Sequence, residues 1–262
     1  MTSQQPVVAT SGSYTANLLG NIRSHLAGLQ GFDVMALELI QNADDAKAEK
    51  IIFDITDNGL VVTNSGQFTY CGELNKRPCK FIQNESDYSC DYHRIVDVGS
   101  GGKLTHSENI GRFGIGFVST YQITDHPQIY SSGIKLTLHP ESGQWFVEPD
   151  DQTAGTTFFL PWATNPNTEA RLALGVSHVS VSHIEQLAKD IQKILRKSLL
   201  FLRYVTKAEV RNDGELLLAC DLERGDSADL TISFRPGKEV EKWLILRTDA
   251  EKMAEELYES HP

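Results

Sequence analysis

Glu38-Leu-Ile-Gln-Asn-Ala-Asp-Asp-Ala46 is the most informative stretch of the 262-residue sequence. If it forms a helix, Glu38 and Asn42 are four residues apart and project from the same face, with Asp45 close to that stripe. The Asn42 side chain offers a carbonyl oxygen suited to a hard divalent cation, and the Glu38 carboxylate can orient a water molecule. Exposed helices often carry such residues, so this stretch alone also fits an ordinary surface helix.

Ile110-Gly-Arg-Phe-Gly-Ile-Gly-Phe117 is a second stretch with chemical content. Its three glycines leave backbone N–H groups unobstructed just before a predicted helical segment, and this arrangement is typical of phosphate binding. A Walker A loop requires a different glycine spacing and a following Lys-Ser/Thr, and a dinucleotide fingerprint requires a surrounding βαβ unit. The stretch meets neither requirement, so it predicts a phosphate site of another kind.

Together these stretches resemble the GHKL superfamily of ATPases, which includes gyrase, histidine kinases and the ninety-kilodalton heat-shock chaperones. Glu38–Ala46 is similar to the N-box of that superfamily, and Gly111–Phe117 is similar to its lid-hinge glycine box. Within the superfamily the chain resembles the sacsin-like branch in particular, where a run like Tyr121-Gln-Ile-Thr-Asp-His-Pro127 follows the glycine box. The resemblance covers at least Tyr14–Trp162.

This resemblance implies roles for individual residues. Glu38 would be the general base, and Asn42 would hold Mg²⁺ together with the phosphates of ATP. Asn64 and Gly66 stand where the superfamily has an adenine-binding Asp-x-Gly-x-Gly. Thr156 would contact the adenine, although a plain strand start also explains this threonine. The other implied nucleotide contacts are Asp45, Lys103, Gly111, Arg112, Phe113, Gly114, Ile115, Gly116 and Phe117.

The adenine box departs from the superfamily pattern at two positions. Asn64 replaces the aspartate, and Phe68 replaces the second glycine. An asparagine carbonyl can accept from the adenine amino group, but without charge assistance, so we expect modest base selectivity. Two lid residues also have an alternative to phosphate binding. Lys103 equally fits a solvated loop, and Arg112 could pair with a nearby acid instead of a phosphate.

The fold class that the resemblance implies is α+β, a two-layer α/β sandwich (the Bergerat fold) with a mixed sheet, helices on one face and a long lid loop. We expect residues 1–13 to be a mobile lead-in. Residues 14–205 would form the ATP-binding domain, with the lid at about 70–117. Residues 206–262 would form a small α+β extension leading into a downstream region that this chain lacks.

Local patterns predict individual elements. The helix that contains Glu38 would start at Asp33 as N-cap, and Ser182-x-x-Glu185 would be the capping box of a later long helix. The turn Asp57-Asn58-Gly59 predicts a hairpin. Two segments, 70–108 and 161–181, are predicted to lack sustained regular structure. The predicted strands are residues 50–56, 60–63, 128–130, 134–138, 144–147, 156–160, 207–211, 215–220, 229–234 and 243–247.

Three of the four cysteines lie in the predicted lid, as Cys71, Cys79 and Cys90, and Cys90-x-x-His93 has the spacing of metal ligands. One structural Zn²⁺ held by these four side chains would stabilise an irregular loop. The spacing from Cys71 to Cys79 is wider than in a usual zinc knuckle, so free thiols are the alternative. The other histidines suggest no ligand set.

The overall charge restricts the partners. The chain has 24 Lys and Arg against 35 Asp and Glu, a net charge of −11, which argues against a sequence-wide grip on nucleic acid or anionic lipid. No apolar stretch approaches the roughly 20 residues that span a bilayer, and no secretory signal is visible. We therefore expect a cytoplasmic protein with reduced thiols, and no membrane or direct nucleic-acid partner.

The function predicted from the resemblance is ATP binding by an N-terminal module of a larger sacsin-like or chaperone-like protein. Slow Mg²⁺-dependent hydrolysis of ATP to ADP and phosphate would drive lid closure, which makes the chain a weak ATPase. Its partners would be ATP, ADP and the C-terminal domains of the same protein, with a homodimer left open. The alternatives are a nucleotide-binding module without turnover and an interaction module that has lost ATP.

Overall fold

Ten strands follow one another along the described part of the chain, which comprises residues 17–29, 31–83, 89–97, 116–225 and 229–244 of a computed structural model. They are β1 (Lys50–Thr56), β2 (Gly59–Asn64), β3 (Gln128–Ser131), β4 (Ile134–His139), β5 (Gln144–Pro149), β6 (Thr156–Pro161), β7 (Lys207–Asn212), β8 (Glu215–Arg224), β9 (Asp229–Arg235) and β10 (Val240–Leu244). All ten form one sheet in the order β10-β9-β8-β7-β1-β2-β6-β3-β4-β5. β1 and β7 are parallel and the other neighbours are antiparallel, so the predicted α+β class with a mixed sheet is confirmed.

Six α-helices and two 3₁₀ segments lie within the described residues. They are α1 (Leu18–Leu26), α2 (Phe32–Asp45), α3 (Lys80–Gln83), α4 (Asp91–Asp97), α5 (Glu169–Leu174) and α6 (Val181–Ser198), with 3₁₀ segments at Gly116–Gln122 and Leu199–Phe201. The two longest, α2 and α6, pack against each other and contact β1 and β7 respectively. Within the described residues, no helix combines the length and apolar character needed to cross a bilayer.

Side chains alternate across the central strands, as half-buried sheets require. Ile51, Phe53 and Ile55 of β1 are buried, and the antiparallel register places Val62 and Leu60 of β2 on the same face. This face forms the core with α2 and α6, whereas the alternate positions of β1 are half-buried. Full burial of one such side chain is worth about 1.5–3 kcal/mol, so this row anchors the sheet to the helices.

The start of α2 differs from the prediction. The N-cap is Gly31, with φ of 111°, and the predicted N-cap Asp33 lies inside the first turn, where its carboxylate accepts from the Val34 N–H. Gln122 holds the preceding loop, because its Oε1 accepts from Gly31 N at 3.0 Å and its Nε2 donates to Leu29 O at 2.8 Å. A tertiary contact therefore fixes this helix start in place of a local side-chain cap.

The start of α6 also differs from the prediction. The capping box is Ser180 with His183, two residues before the expected Ser182-x-x-Glu185. Ser180 Oγ accepts from His183 N, and His183 Nδ1 accepts from Ser180 N at 3.2 Å. The imidazole nitrogen takes the part that a glutamate plays in the common form of this motif.

Both segments predicted to lack regular structure contain short helices. α3 and α4 lie within residues 70–108, and α5 lies within residues 161–181. α5 has Thr168 as N-cap and Gly175 in the left-handed conformation at its end. Helices of four to seven residues are too short to show a sustained period, which is why the sequence does not reveal them. The last predicted strand, residues 243–247, starts earlier than expected, because β10 pairs with β9 from Val240 onwards, and residues 245–247 lie outside the described residues.

Candidate functional site

Glu38 and Gly116 meet although they lie far apart in the sequence. α2 presents Glu38 to the first residue of the 3₁₀ segment Gly116–Gln122. A Cβ added at Gly116 would lie 1.8 Å from Glu38 Oε2 and 2.5 Å from Glu38 Cδ. Only glycine permits this approach. The described end of the glycine-rich stretch therefore lies against the helix that carries Glu38.

Asn42 follows Glu38 one helical turn later and is almost completely buried, with 3% of its surface exposed. Its Nδ2 is buried and has no hydrogen-bond partner among the described residues. A buried donor without a partner costs about 1–3 kcal/mol, so side chains rarely stay in this state unless another group completes the site. The Asn42 amide is thus a buried polar group of this site that has no hydrogen-bond partner among the described residues.

Burial changes the acidity of Glu38. The carboxyl group is about half-buried, and this desolvation raises its pKa above the ordinary value of 4.5. A carboxylate with a raised pKa holds a proton more readily, which suits a general base that works near neutral pH. Asp45, the other acid predicted for this site, is half-buried at the last position of α2.

The predicted adenine box is assembled at the ends of β2 and β6. Asn64 is paired in register with Thr156, and its Oδ1 accepts from Gly66 N at 2.9 Å. Thr156 Oγ1 donates to Gly66 O at 2.9 Å and lies 2.8 Å from Ser131 Oγ. Ser131 also accepts from Phe68 N at 3.0 Å, so a hydroxyl that was not predicted lies at the centre of this network.

Phe68, which replaces the second glycine of the box, is a core residue. Its ring packs edge-on against Tyr92 at 5.6 Å and Phe158 at 5.7 Å between centroids. Phe117, the last residue of the glycine box, is also buried and lies 5.8 Å from Phe158. These rings therefore join Phe117, at the end of the glycine box, to Phe68 of the adenine box.

Gly66 connects the two halves of the site. A Cβ at this position would lie 2.8 Å from both the Cβ and the backbone O of Ala46, the C-cap of α2. The adenine box thus abuts the end of the helix that carries Glu38 and Asn42. The remaining predicted contacts fall outside the described residues: Lys103, Gly111, Arg112, Phe113, Gly114 and Ile115.

Comparison with known proteins gives the family. The Sacsin domain family matches residues 15–145, which is half of the chain. The chain belongs to the sacsin domain family. The matched range contains Glu38, Asn42, Asn64 and Gly116, whereas Thr156 lies beyond it.

Two relatives are much longer than this sacsin domain. Protein NO VEIN from Arabidopsis thaliana is 28% identical over an alignment of 202 residues, and the match covers 70% of this chain and 7% of that protein. Sacsin from Homo sapiens is 35% identical over an alignment of 126 residues, and the match covers 44% of this chain and 3% of that protein. The sacsin domain therefore corresponds to a small part of each relative.

The predicted metal ligands of the sacsin domain come together in space. The donor atoms of Cys71, Cys79, Cys90 and His93 all lie within 4.8 Å of one another. A second group, His126, His139 and Glu141, was not predicted. It forms because the turn after β4 brings Glu141 to both rings, 2.9 Å from the Nε2 of the first histidine.

Two buried acids hold the sacsin domain together and were also missed. Asp44 accepts backbone N–H bonds from residues 203–205, at 2.7 to 3.0 Å, and so ties α2 to the chain that enters β7. Asp125 binds Arg171 Nε at 2.5 Å, and that arginine is only 1% exposed. An ionisable residue on the apolar side of a helix, such as Asp44 one turn after Ile40, is the sequence signal for such a role.

A large groove lies away from these groups. It has a volume of about 670 Å³ and is lined by residues of α1, the start of α2, the segment leading into α6 and α6 itself, among them Arg23, Gly31, His178 and Asp190. Gln122 lines it from the 3₁₀ segment. The groove contains neither Glu38 nor Asn42, so it is separate from the candidate site of the sacsin domain.

Proposed function

We propose that this sacsin domain binds ATP with Mg²⁺ between α2, the 3₁₀ segment and the β2–β6 pair, and that it hydrolyses ATP slowly. The observation that carries the proposal is the junction of Glu38 with Gly116, next to the buried amide of Asn42 that lacks a partner. The arrangement fits the Bergerat fold of the GHKL superfamily, in which an acid and an asparagine on one helix face a glycine-rich lid hinge.

The donor set fits a nucleotide with its magnesium ion. Asn42 would hold the ion through its side-chain oxygen, since Mg²⁺ prefers oxygen ligands and keeps several waters. A bound Mg²⁺ neutralises charge on the phosphate oxygens. The buried Asn42 amide, now without a partner among the described residues, would gain one in the loaded site.

Glu38 would act on the attacking water. Its carboxylate takes a proton from the water as the water oxygen bonds to the γ-phosphorus, and the bond to the bridging oxygen of ADP breaks. The raised pKa of Glu38 favours holding that proton. Gly116 leaves room for the carboxylate at this position, because a Cβ there would displace it.

The adenine would be recognised weakly. Asn64 Oδ1 already accepts the Gly66 N–H and offers only its remaining lone pair, without charge. The Thr156 hydroxyl is fully buried and engaged with Gly66 and Ser131. Base selectivity would therefore be modest.

A module that binds nucleotide or a partner without turnover is the second candidate. Phe68 favours it, because a buried aromatic ring stands where the superfamily has a glycine. In either case the lid and other domains of a longer cytoplasmic protein would sense the bound state. The partners would be ATP, ADP and the C-terminal domains of that protein, and a homodimer is left open.

Single-turnover hydrolysis by the wild-type chain and by Glu38→Ala separates the two candidates. The favoured mechanism expects slow turnover in the wild type, loss of turnover in Glu38→Ala, and similar ATP affinity in both. If the wild type binds ATP but never hydrolyses it, the second candidate holds. Loss of binding in Glu38→Ala would instead give Glu38 a structural role.

A further inference from the structure

Three thiols and one imidazole form an isolated cluster between the segment after β2 and α4. Cys71 is half-buried, and Cys79, Cys90 and His93 are buried. His93 Nδ1 lies 3.3 Å from Cys71 Sγ and 3.1 Å from Cys90 Sγ. From these contacts we propose that the four side chains bind one structural Zn²⁺.

The distances suit a tetrahedral ion. Zn–S bonds of about 2.3 Å and Zn–N bonds of about 2.0 Å imply ligand-to-ligand distances of roughly 3.5–3.8 Å. All four donor atoms already lie within 4.8 Å of one another, and the two S···N distances are slightly shorter than the ideal. Small rotations of the side chains would place an ion at these bond lengths from the four donor atoms.

The outer contacts orient the histidine for this role. His93 Nε2 lies 3.0 Å from the backbone O of Lys76, and only a protonated Nε2 can donate to a carbonyl. This fixes the tautomer in which Nδ1 carries a lone pair directed at the cysteines, as zinc-binding histidines require. The backbone N–H of Cys90 also donates to Cys79 Sγ at 3.4 Å, a contact that stabilises a thiolate.

The ligand type selects the metal class. Three sulfur donors and one imidazole are soft to intermediate ligands, which favour Zn²⁺ and disfavour Mg²⁺ or Ca²⁺. Four protein ligands close the coordination shell, as in structural sites. The ion would therefore stabilise the fold and leave no open position for catalysis.

A bound zinc ion would hold α4 in place beside the residues of the adenine box. Next to Cys90, Asp91 accepts from the N–H and hydroxyl of Thr69, and Tyr92 donates to Ser131 O at 2.8 Å. Tyr92 also packs against Phe68. α4 therefore contributes both to the proposed zinc site and to the contacts with the adenine box. The zinc proposal does not depend on nucleotide binding.

Metal analysis of the full chain, purified without chelator, tests the site. We expect about one zinc per chain in the wild type and less than a tenth of that in Cys90→Ala. Cys220→Ala is the matched control, because Cys220 is a buried cysteine on β8 outside the cluster. It should keep the full zinc content. Equal losses in the two variants would overturn the assignment, as would a wild type without zinc even after refolding with Zn²⁺.

Cobalt substitution in the wild type gives a readout that needs no variant to fold. Co²⁺ in a tetrahedral thiolate site gives strong visible d–d bands and a thiolate-to-metal charge-transfer band. These bands should appear at one equivalent and disappear when Zn²⁺ is added. Absence of the bands in reduced protein, or a disulfide joining two of the three cluster cysteines in protein purified from a reducing cytosol, would contradict the proposal.

Discussion

Replacing Gly116 with alanine perturbs the contact with Glu38. The new Cβ would lie 1.8 Å from Glu38 Oε2, whereas real Cβ contacts are essentially never shorter than 3.0 Å, so the carboxylate must retreat by more than 1 Å. A misplacement of about 1 Å can cost roughly 100-fold in rate. We therefore expect single-turnover ATP hydrolysis to slow about 100-fold in Gly116→Ala, with ATP affinity changed far less.

The double variant shows whether the effect passes through Glu38. In Glu38→Ala the clashing atoms are gone, so adding Gly116→Ala should change thermal stability and residual turnover very little. Gly28→Ala is the steric control, because among the described residues its Cβ would meet only His25 O, at 3.7 Å. Normal turnover in Gly116→Ala, or an equal penalty in the Glu38→Ala background, would show that the contact has no catalytic meaning.

Two further substitutions test the site. Burial raises the folded-state pKa of Glu38, so the wild type should lose stability relative to Glu38→Gln as pH rises from 4.5 through the raised pKa. At lower pH the stabilities of the two proteins should converge. Urea unfolding of both proteins across this pH range measures the difference, and parallel stability curves would contradict the prediction. Asn64→Asp should tighten ATP relative to GTP, because a carboxylate accepts from the adenine amino group and repels the guanine carbonyl. Competition binding measures this ratio, and an unchanged ratio would mean that Asn64 does not contact the base.

Patterns within short stretches of sequence predicted much of this molecule. The β1–β2 hairpin lies where its turn residues place it, and β1 has the expected bounds Lys50–Thr56. The meeting of Glu38 with Gly116 could also be expected, but only because two distant motifs resemble one superfamily. Hydrophobic periodicity and turn-forming residues are properties of a few neighbouring residues. They therefore predict helices and strands well, and contacts between these elements poorly.

The errors have tertiary causes. Ser180 and Ser182 both precede a residue able to complete a capping box, and the sequence cannot show which start the packing of α6 selects. α2 starts at Gly31 because Gln122 binds the preceding loop from a distant segment. The ion pair of Asp125 with Arg171 is equally invisible, since α5 itself is too short to be recognised.

Calorimetric titration with ATP, with and without Mg²⁺, tests the nucleotide site most directly. The wild-type chain should bind one equivalent of ATP in a Mg²⁺-dependent manner, and Asn42→Ala should lose at least about tenfold in that affinity. Its thermal stability should not fall by more than a small amount, because the substitution also removes a buried donor without a described partner. A wild-type chain that does not bind Mg²⁺-ATP, or an Asn42→Ala chain that binds it equally well, would contradict the proposed site.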